Sequence, residues 1–204
     1  MIKLLRPTKA EINELPPFEG LPLSSITLVD NEAALKLARK ALVKADCLGF
    51  DTESKPTFRP GERSDGPHLI QLATANRAFL FPASYPAGVE LVLEILQSPL
   101  VKKVGFGLSG DRTLFRKKYR ANLSHLVDLS VTLKTAAKLK QPIGAQASVA
   151  MLLGQRLSKK GQTSNWGAPV LKEYQLQYAA NDAYAAYCVN QVMEQRAAQV
   201  QQGN

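Results

Sequence analysis

The sequence is poor in cysteine and has no long apolar run. Its two cysteines, Cys47 and Cys188, lie far apart in the chain and neither belongs to a Cys-x-x-Cys pair, so a disulfide framework is excluded. No uninterrupted apolar stretch approaches the roughly 18 residues of a membrane-spanning helix. The apolar start at Met1–Pro7 is too short for the core of a signal peptide. We therefore expect a chain without membrane association in a reducing, cytoplasmic compartment.

Disordered and fibrous classes are excluded by the composition. The chain has 204 residues, of which 45% are hydrophobic and 21% are charged, and these fractions are typical of a globular protein. A chain of this length commonly forms one domain. It is also long enough to bury roughly 70% of the surface that its unfolded state exposes.

Acidic residues are scarce in one block of the chain. Residues 100–172 carry 14 basic and 2 acidic side chains, whereas residues 1–99 and 173–204 are close to neutral. The formal charge of +9 therefore comes from this block alone. The block is either a solvated basic face or a polyanion site, because clustered lysine and arginine are the electrostatic mark of phosphate binding.

Hydrophobic patterning predicts a mixed α/β domain preceded by an arm. Residues 1–24 contain four prolines and are predicted to form an irregular arm laid over the domain. Apolar runs predict strands at about 47–53, 69–73, 78–81, 101–106 and 126–129, and either a strand or the lead into a helix at 26–29. Helical periodicity predicts helices at about 32–44, 89–96, 111–119, 130–140, 145–153 and 171–197. Early strands followed by a helical C-terminal third indicate one central mixed sheet flanked by helices.

Two carboxylates stand at the end of the strand predicted over 47–53. Side chains alternate along a strand, so Asp51 and Glu53 face the same side. Two carboxylates placed this closely repel each other and lose hydration. They mark either a solvated strand end that enters a polar loop or a cation site, since hard divalent ions bind several carboxylate oxygens.

A tyrosine and a third acid share one face of the C-terminal helix. Tyr178 and Asp182 are four residues apart, and such positions lie on the same side of a helix. The alanines around them favour close packing on the sheet, where a buried aspartate needs a partner or a metal. A solvent-facing Asp182 with Tyr178 in the core is the simpler alternative. Asp111 opens another helix, a position where aspartate is common for capping and dipole reasons.

The order of Asp51-x-Glu53, Asp111 and Tyr178-x₃-Asp182 resembles the DEDD 3′–5′ exonucleases. The tyrosine four residues before the last acid resembles the DEDDy subgroup, and the chain is similar to its ribonuclease D and Werner-syndrome exonuclease branch. The resemblance covers about residues 45–196 and includes the supporting segments His68–Leu72, Leu152–Gly154 and Ser164–Trp166. We therefore expect an exonuclease domain over 25–204, with the arm at 1–24 outside the resemblance.

The resemblance implies a ribonuclease H-like fold and the release of nucleoside 5′-monophosphates from a nucleic-acid 3′ end. It implies two divalent metal ions, Mg²⁺ or Mn²⁺, which suit oxygen ligands and act on the attacking water and the departing 3′ oxygen. In this scheme Asp51 bridges both ions, Glu53 and Asp182 hold the first, and Asp111 supports the second. Tyr178 orients the attacking water by hydrogen bonding, because a phenol with a pKa near about 10 is a poor base at neutral pH.

Further residues around the acids are predicted to contact the substrate. The candidates are Thr52, Phe58, Arg112, Lys159, Lys160 and Trp166. Thr52 and Glu53 are placed to contact the terminal sugar. The basic residues are predicted to follow backbone phosphates, and the two aromatic residues to stack on bases. For Trp166, packing in the core is the simpler alternative.

Two other functions are compatible with parts of the sequence. Gly105-Phe-Gly107-Leu-Ser-Gly110 fits the GxGxxG pattern, and Asp128 follows near the distance of a ribose ligand, which would indicate an NAD-dependent oxidoreductase. That alternative leaves the acidic pair and the tyrosine–aspartate pair unexplained. A non-catalytic nucleic-acid-binding module would be expected to lack one or more of the four carboxylates, and all four are present. DNA or RNA as substrate, and the oligomeric state, stay open.

Overall fold

One mixed sheet, seven α-helices and a short 3₁₀ helix at Leu23–Ser25 make up the regular structure of the described part of the chain. The computed structural model describes residues 5–56 and 65–202. The strands are β1 (Ile26–Leu28), β2 (Cys47–Glu53), β3 (Leu69–Ala73), β4 (Ala78–Pro82), β5 (Lys102–Gly105) and β6 (Leu126–Asp128). The helices are α1 (Lys9–Glu14), α2 (Glu32–Leu42), α3 (Pro86–Gln97), α4 (Ser109–Tyr119), α5 (Leu129–Ala136), α6 (Ala145–Leu153) and α7 (Glu173–Gln202).

The sheet has the strand order β1-β4-β3-β2-β5-β6. The strands β2, β3 and β4 form an antiparallel meander. The pairs β1–β4, β2–β5 and β5–β6 are parallel. The predicted central mixed sheet is confirmed, and β2 lies inside it between β3 and β5. Helices follow β5 and β6 directly, so α4 and α5 both begin at the edge of the sheet where β2 ends.

Both faces of the sheet are covered by helices. On one face, Phe50, Ile70 and Leu72 are fully buried against α2, α3 and α4. On the other face, α7 crosses β2 and β3. Its contact is close because Gly49 has no side chain: a Cβ there would lie 1.9 Å from the carbonyl oxygen of Ala183. The alternation along β2 therefore turns Asp51 and Glu53 towards α7 and Thr52 towards α4.

The arm at 1–24 is more ordered than its prolines predict. Residues 9–14 form α1, and the prediction of an irregular arm is wrong there. Thr8 caps the helix and Glu11 returns the hydrogen bond, which together form a capping box. Such a box satisfies two backbone donors at the helix start, so a six-residue helix forms between two prolines.

Most other predicted elements lie within a few residues of the observed ones. The helix predicted over 130–140 ends earlier, at Ala136, because Lys138 has a left-handed backbone with φ of 51° that a helix cannot continue. Asn31 caps α2, since its side chain accepts a hydrogen bond from the amide of Ala34. None of the helices in residues 5–56 and 65–202 combines the length and apolar character needed to cross a bilayer.

Candidate active site

Three carboxylates from two elements meet beside the end of β2. Asp51 and Glu53 project from the strand, and Asp182 projects from α7. Each offers a ligand oxygen, and these oxygens lie within 4.8 Å of one another. The close contact of α7 with Gly49 brings Asp182 to the strand. Asp51 and Glu53 therefore do not form a solvated strand end, and Asp182 does not simply face solvent.

Asp111 joins the site from the opposite side of β2. It lies in the first turn of α4, and its carboxylate accepts a hydrogen bond of 2.7 Å from the Thr52 hydroxyl. Its negative charge also contributes to raising the pKa of Asp51. The structure thus brings together all four acids that the sequence singles out, three of them tightly and Asp111 through Thr52.

Burial and mutual repulsion keep these carboxylates from ionising readily. Burial, together with the charges of Asp182, Glu53 and Asp111, raises the pKa of Asp51 well above its ordinary value. Burial and the charge of Asp182 raise the pKa of Glu53 to about 8. Burial raises the pKa of Asp182 to about 7. Such a group of acids is the donor set that a hard divalent cation prefers, because the ion would neutralise their repulsion.

The metal-free protein is expected to gain stability from this site as the pH falls. The pKa values of about 8 for Glu53 and about 7 for Asp182 exceed their ordinary values of 4.5 and 3.8. The folded protein therefore binds more protons than the unfolded chain, and its stability falls as the pH rises from about 5 to about 8. Asp182→Asn removes the charge that repels the Asp51 and Glu53 carboxylates when all three acids are ionised. We expect this variant to melt higher than the wild type at pH 8 and the difference to shrink towards pH 5.

Thermal melts of both proteins in chelator, across this pH range, measure that difference. Mg²⁺ or Mn²⁺ should then raise the melting temperature of the wild type at pH 8 and have little effect on Asp182→Asn. A difference in melting temperature that stays constant with pH would contradict the electrostatic description of the site.

Tyr178 lies one helical turn before Asp182 and is held firmly in place. Its hydroxyl lies close enough to the Asp182 carboxylate for that acid to favour the protonated phenol. Burial and the charge of Asp182 raise the pKa of Tyr178 well above its ordinary value, so the hydroxyl stays protonated. Gly161 packs on the ring, where a Cβ would lie 2.6 Å from the Tyr178 Cγ, and its φ of 137° also favours glycine.

The structure corrects the stacking prediction for Trp166. The side chain is only 2% exposed, and its ring centroid lies 5.9 Å from that of Tyr178. A buried indole cannot offer a face to a base, so Trp166 supports the tyrosine ring, as the simpler alternative held. The 161–168 loop thereby acts on the site through Tyr178.

The other predicted substrate contacts lie in different settings. The Thr52 hydroxyl donates its hydrogen bond to the Asp111 carboxylate. The Arg112 guanidinium donates to the carbonyl oxygen of Leu126 at 2.7 Å, so it also ties α4 to the start of β6. Lys159 and Lys160 are exposed, and Lys159 lines the cavity that contains Asp51 and Asp182. The stacking prediction for Phe58 falls outside the described residues.

The glycine pattern at 105–110 has a structural use. It turns the chain from β5 into α4, and Asp128 accepts hydrogen bonds from the amides of Gly107 and Leu108 at 3.0 and 2.9 Å. Asp128 also caps α5 through the amide of Ser130. The dinucleotide alternative assigns Asp128 to a ribose and the loop amides to a diphosphate. In the structure Asp128 binds those amides itself, which speaks against that alternative.

Gln71 is a residue near the site to which the sequence assigned no role. It pairs with Asp51 across β2 and β3, so both side chains lie on the same face of the sheet. It is fully buried, and neither atom of its amide has a hydrogen-bond partner among residues 5–56 and 65–202. The signal in the sequence is a polar residue within the otherwise apolar strand Leu69–Ala73.

Comparisons with known proteins agree with this arrangement. The family model described as 3′–5′ exonuclease matches residues 26–197. The bifunctional 3′–5′ exonuclease/ATP-dependent helicase WRN of Mus musculus is 30% identical over 156 residues, which cover 74% of this chain and 11% of that protein. The Aedes aegypti Nibbler EXO domain has a TM-score of 0.76 and 24% identity, with 89% of this chain and 92% of that chain covered. The Trypanosoma brucei RNase D complex with RNA U12 has a TM-score of 0.73 and 18% identity, with 90% and 64% covered.

The structural likenesses confirm the predicted ribonuclease H-like fold. The family match contains all four acids and Tyr178, and it begins after the arm. This chain spans only 11% of the length of WRN. Since the match covers most of the chain, the protein belongs to the 3′–5′ exonuclease family.

Proposed function

We propose that this chain is a metal-dependent 3′–5′ exonuclease that releases nucleoside 5′-monophosphates from a nucleic-acid 3′ end. The observation that carries the proposal is the meeting of Asp51, Glu53 and Asp182, with ligand oxygens within 4.8 Å of one another. Asp111 is tied to the same strand through Thr52. Membership of the exonuclease family supports the same reaction.

The acidic residues fit a pair of Mg²⁺ or Mn²⁺ ions. Asp51, Glu53 and Asp182 would hold one ion, and Asp51 and Asp111 would hold the other. When bound, such ions polarise the phosphoryl oxygen and lower the pKa of water. The chain's own contribution is to hold the acids rigidly: β2 fixes two, the contact at Gly49 fixes Asp182, and the Thr52 hydroxyl fixes Asp111.

The direction of hydrolysis can be tested on a 5′-labelled strand. With Mg²⁺ or Mn²⁺ the label should appear in products that shorten one nucleotide at a time from the 3′ end. A blocked 3′ terminus should protect the strand. Shortening from the 5′ end, or internal fragments without a ladder, would contradict the proposed direction.

Tyr178→Phe is expected to slow hydrolysis about tenfold to a hundredfold. The substitution removes one hydrogen bond near charged groups, which is worth roughly 1.5–3 kcal/mol, and keeps the ring against Trp166. We propose that the hydroxyl orients the attacking water. The loss should therefore appear in kcat with little change in KM.

Steady-state kinetics on one oligonucleotide show whether the loss appears in kcat or in KM. Tyr184→Phe is the matched control, because Tyr184 lies on the same helix and packs against Phe18 away from the acids. An unchanged kcat in Tyr178→Phe would remove the hydroxyl from the mechanism. A loss of equal size in Tyr184→Phe would indicate a general effect on α7.

The substrate class proposed is a nucleic-acid 3′ end of either DNA or RNA. The RNase D structure with RNA U12 supports RNA for that protein. Matched DNA and RNA strands, single and 3′-recessed, in the same salt and metal, assign the preference of this chain. A preference for RNA would indicate a contact to the 2′-hydroxyl, which is the group that separates the two.

A further inference from the structure

The N-terminal arm forms one wall of a groove that leads to the acidic site. Asp51, Asp182 and Tyr178 line a single cavity of about 1270 Å³. Arg6, which precedes α1, and Lys9, the first residue of α1, line the same cavity. The arm thus bounds the space through which a strand would reach the carboxylates.

Away from the carboxylates, the groove is basic. Its lining includes Arg6, Lys9, Arg156 and Lys159, and its only acidic members among the described residues are Asp51 and Asp182. Arg6, Lys9 and Lys159 form no ion pair with any residue in 5–56 and 65–202. These three side chains are exposed. Their positive charges are therefore available to a ligand.

The arm is fixed to the domain by backbone hydrogen bonds. The Arg156 amide donates to Pro16 at 2.7 Å, and the Phe18 amide donates to the carbonyl oxygen of Arg156 at 2.9 Å. The Arg156 guanidinium donates to the carbonyl oxygen of Asn13 at 3.0 Å. Further along, Gln177 of α7 donates to the Leu21 carbonyl oxygen at 2.7 Å. These contacts fix the last turn of α1 and the segment that follows it to the domain, so the arm lies beside the groove.

One acidic residue of α1, Glu11, is already engaged by hydrogen bonds within the arm. Glu11 lies on α1 but does not line the cavity. Its carboxylate accepts hydrogen bonds from the amide and hydroxyl of Thr8, at 2.7 and 2.8 Å. The Glu11 carboxylate therefore binds Thr8 and forms no ion pair with Arg6 or Lys9.

We propose that the arm is a substrate-binding element in which Arg6 and Lys9 bind the phosphodiester backbone of the strand upstream of its 3′-terminal nucleotide. Lys159 faces the same groove and binds the same backbone. This inference rests on the proposed function, because that function places the 3′ end at the carboxylates. The arm precedes the family match, which begins at residue 26. The ligand chemistry is a chain of phosphates, which lysine and arginine bind without regard to base sequence.

The double variant Arg6→Ala/Lys9→Ala tests the proposal against a matched control. The control is Lys40→Ala/Lys44→Ala, which removes the same charge from the cavity of about 910 Å³ beside Asp46 and Cys47, at the start of β2. Two substrates are compared: a single-stranded oligonucleotide and the p-nitrophenyl ester of thymidine 5′-monophosphate. The ester has no upstream phosphates, so it reports the site without the groove.

For the oligonucleotide, the arm variant should raise KM and leave kcat nearly unchanged. The slope of log affinity against log salt should fall by about 1 to 2, since each single-strand phosphate contact contributes about 0.7. Hydrolysis of the ester should equal that of the wild type. The control variant should behave as the wild type on both substrates.

Three results would overturn the proposal. The first is an unchanged KM and salt slope in the arm variant. The second is an equal rise in KM for the oligonucleotide in the control variant. The third is slower hydrolysis of the ester by the arm variant. Binding of the labelled oligonucleotide in chelator, followed by fluorescence anisotropy, tests the groove separately from hydrolysis. If the wild type hydrolyses neither substrate, the proposed function fails, and the anisotropy comparison still decides whether the arm binds the strand.

Discussion

Asp51→Asn is expected to lower the rate of 3′-terminal hydrolysis by about a thousandfold or more. Asp51 is the acid that Asp182, Glu53 and Asp111 all surround, as their combined effect on its pKa shows. An amide there weakens the hold on both ions, and the charge stabilisation that such ions supply is worth several kcal/mol. The fold should persist, because the substitution removes a repelled charge and keeps the size of the side chain.

Asp46→Asn is the matched control for this variant. Asp46 immediately precedes β2, at the far end of the strand from Asp51, and is exposed. The same chemical change there should leave the rate within about twofold of the wild type, as is usual for surface positions. Single-turnover rates of both variants measure the loss of catalysis, and thermal melts show whether the fold persists. Full activity in Asp51→Asn would contradict the site assignment.

Gly49→Ala is expected to destabilise the protein strongly and to abolish activity with it. A Cβ at this position would lie 1.9 Å from the Ala183 carbonyl oxygen and 2.8 Å from its carbonyl carbon. Backbone cannot give way as a flexible side chain does, so α7 would have to move off β2. Overpacking commonly costs about 1–3 kcal/mol and sometimes more. The movement would also take Asp182 and Tyr178 away from Asp51.

Gly110→Ala is the control for the change of glycine to alanine. A Cβ at Gly110 meets no atom of the described residues within 4 Å, and the residue lies in α4. Alanine there should stabilise the protein by about 0.5–1 kcal/mol. Urea unfolding of both variants gives the comparison. A Gly49→Ala variant as stable as the wild type would show that α7 does not depend on this contact.

The sequence predicted the elements that carry the chemistry because local patterns determine them. The bounds of β2 and β3 agree with the prediction residue for residue, since apolar runs end there at polar turns. The i to i+4 spacing put Tyr178 and Asp182 on one face without knowledge of the fold. Their meeting with Asp51 follows from the docking of α7, which the alanines and Gly49 allow.

Long-range packing explains what the sequence did not predict. The burial of Trp166 depends on how the 161–168 loop lies on α7, and no local pattern encodes that contact. The place of Arg6 beside the site depends on hydrogen bonds between the arm and Arg156, far away in the chain. The basic excess of residues 100–172 is likewise only partly available to substrate. Five of its cations bind groups of the protein instead, through Lys102–Glu194, Lys103–Ser98, Arg112–Leu126, Lys118–Asp65 and Arg156–Asn13.

Release of a 3′-terminal label tests the central claim most directly. The protein is incubated with a 3′-labelled oligonucleotide in Mn²⁺ or Mg²⁺, and the released label is identified by chromatography. The proposed function predicts a nucleoside 5′-monophosphate as the product, and chelator should stop its release because the clustered acids would hold the metal. Label that stays on the strand, or release that continues in chelator, would contradict the assignment of a metal-dependent 3′–5′ exonuclease.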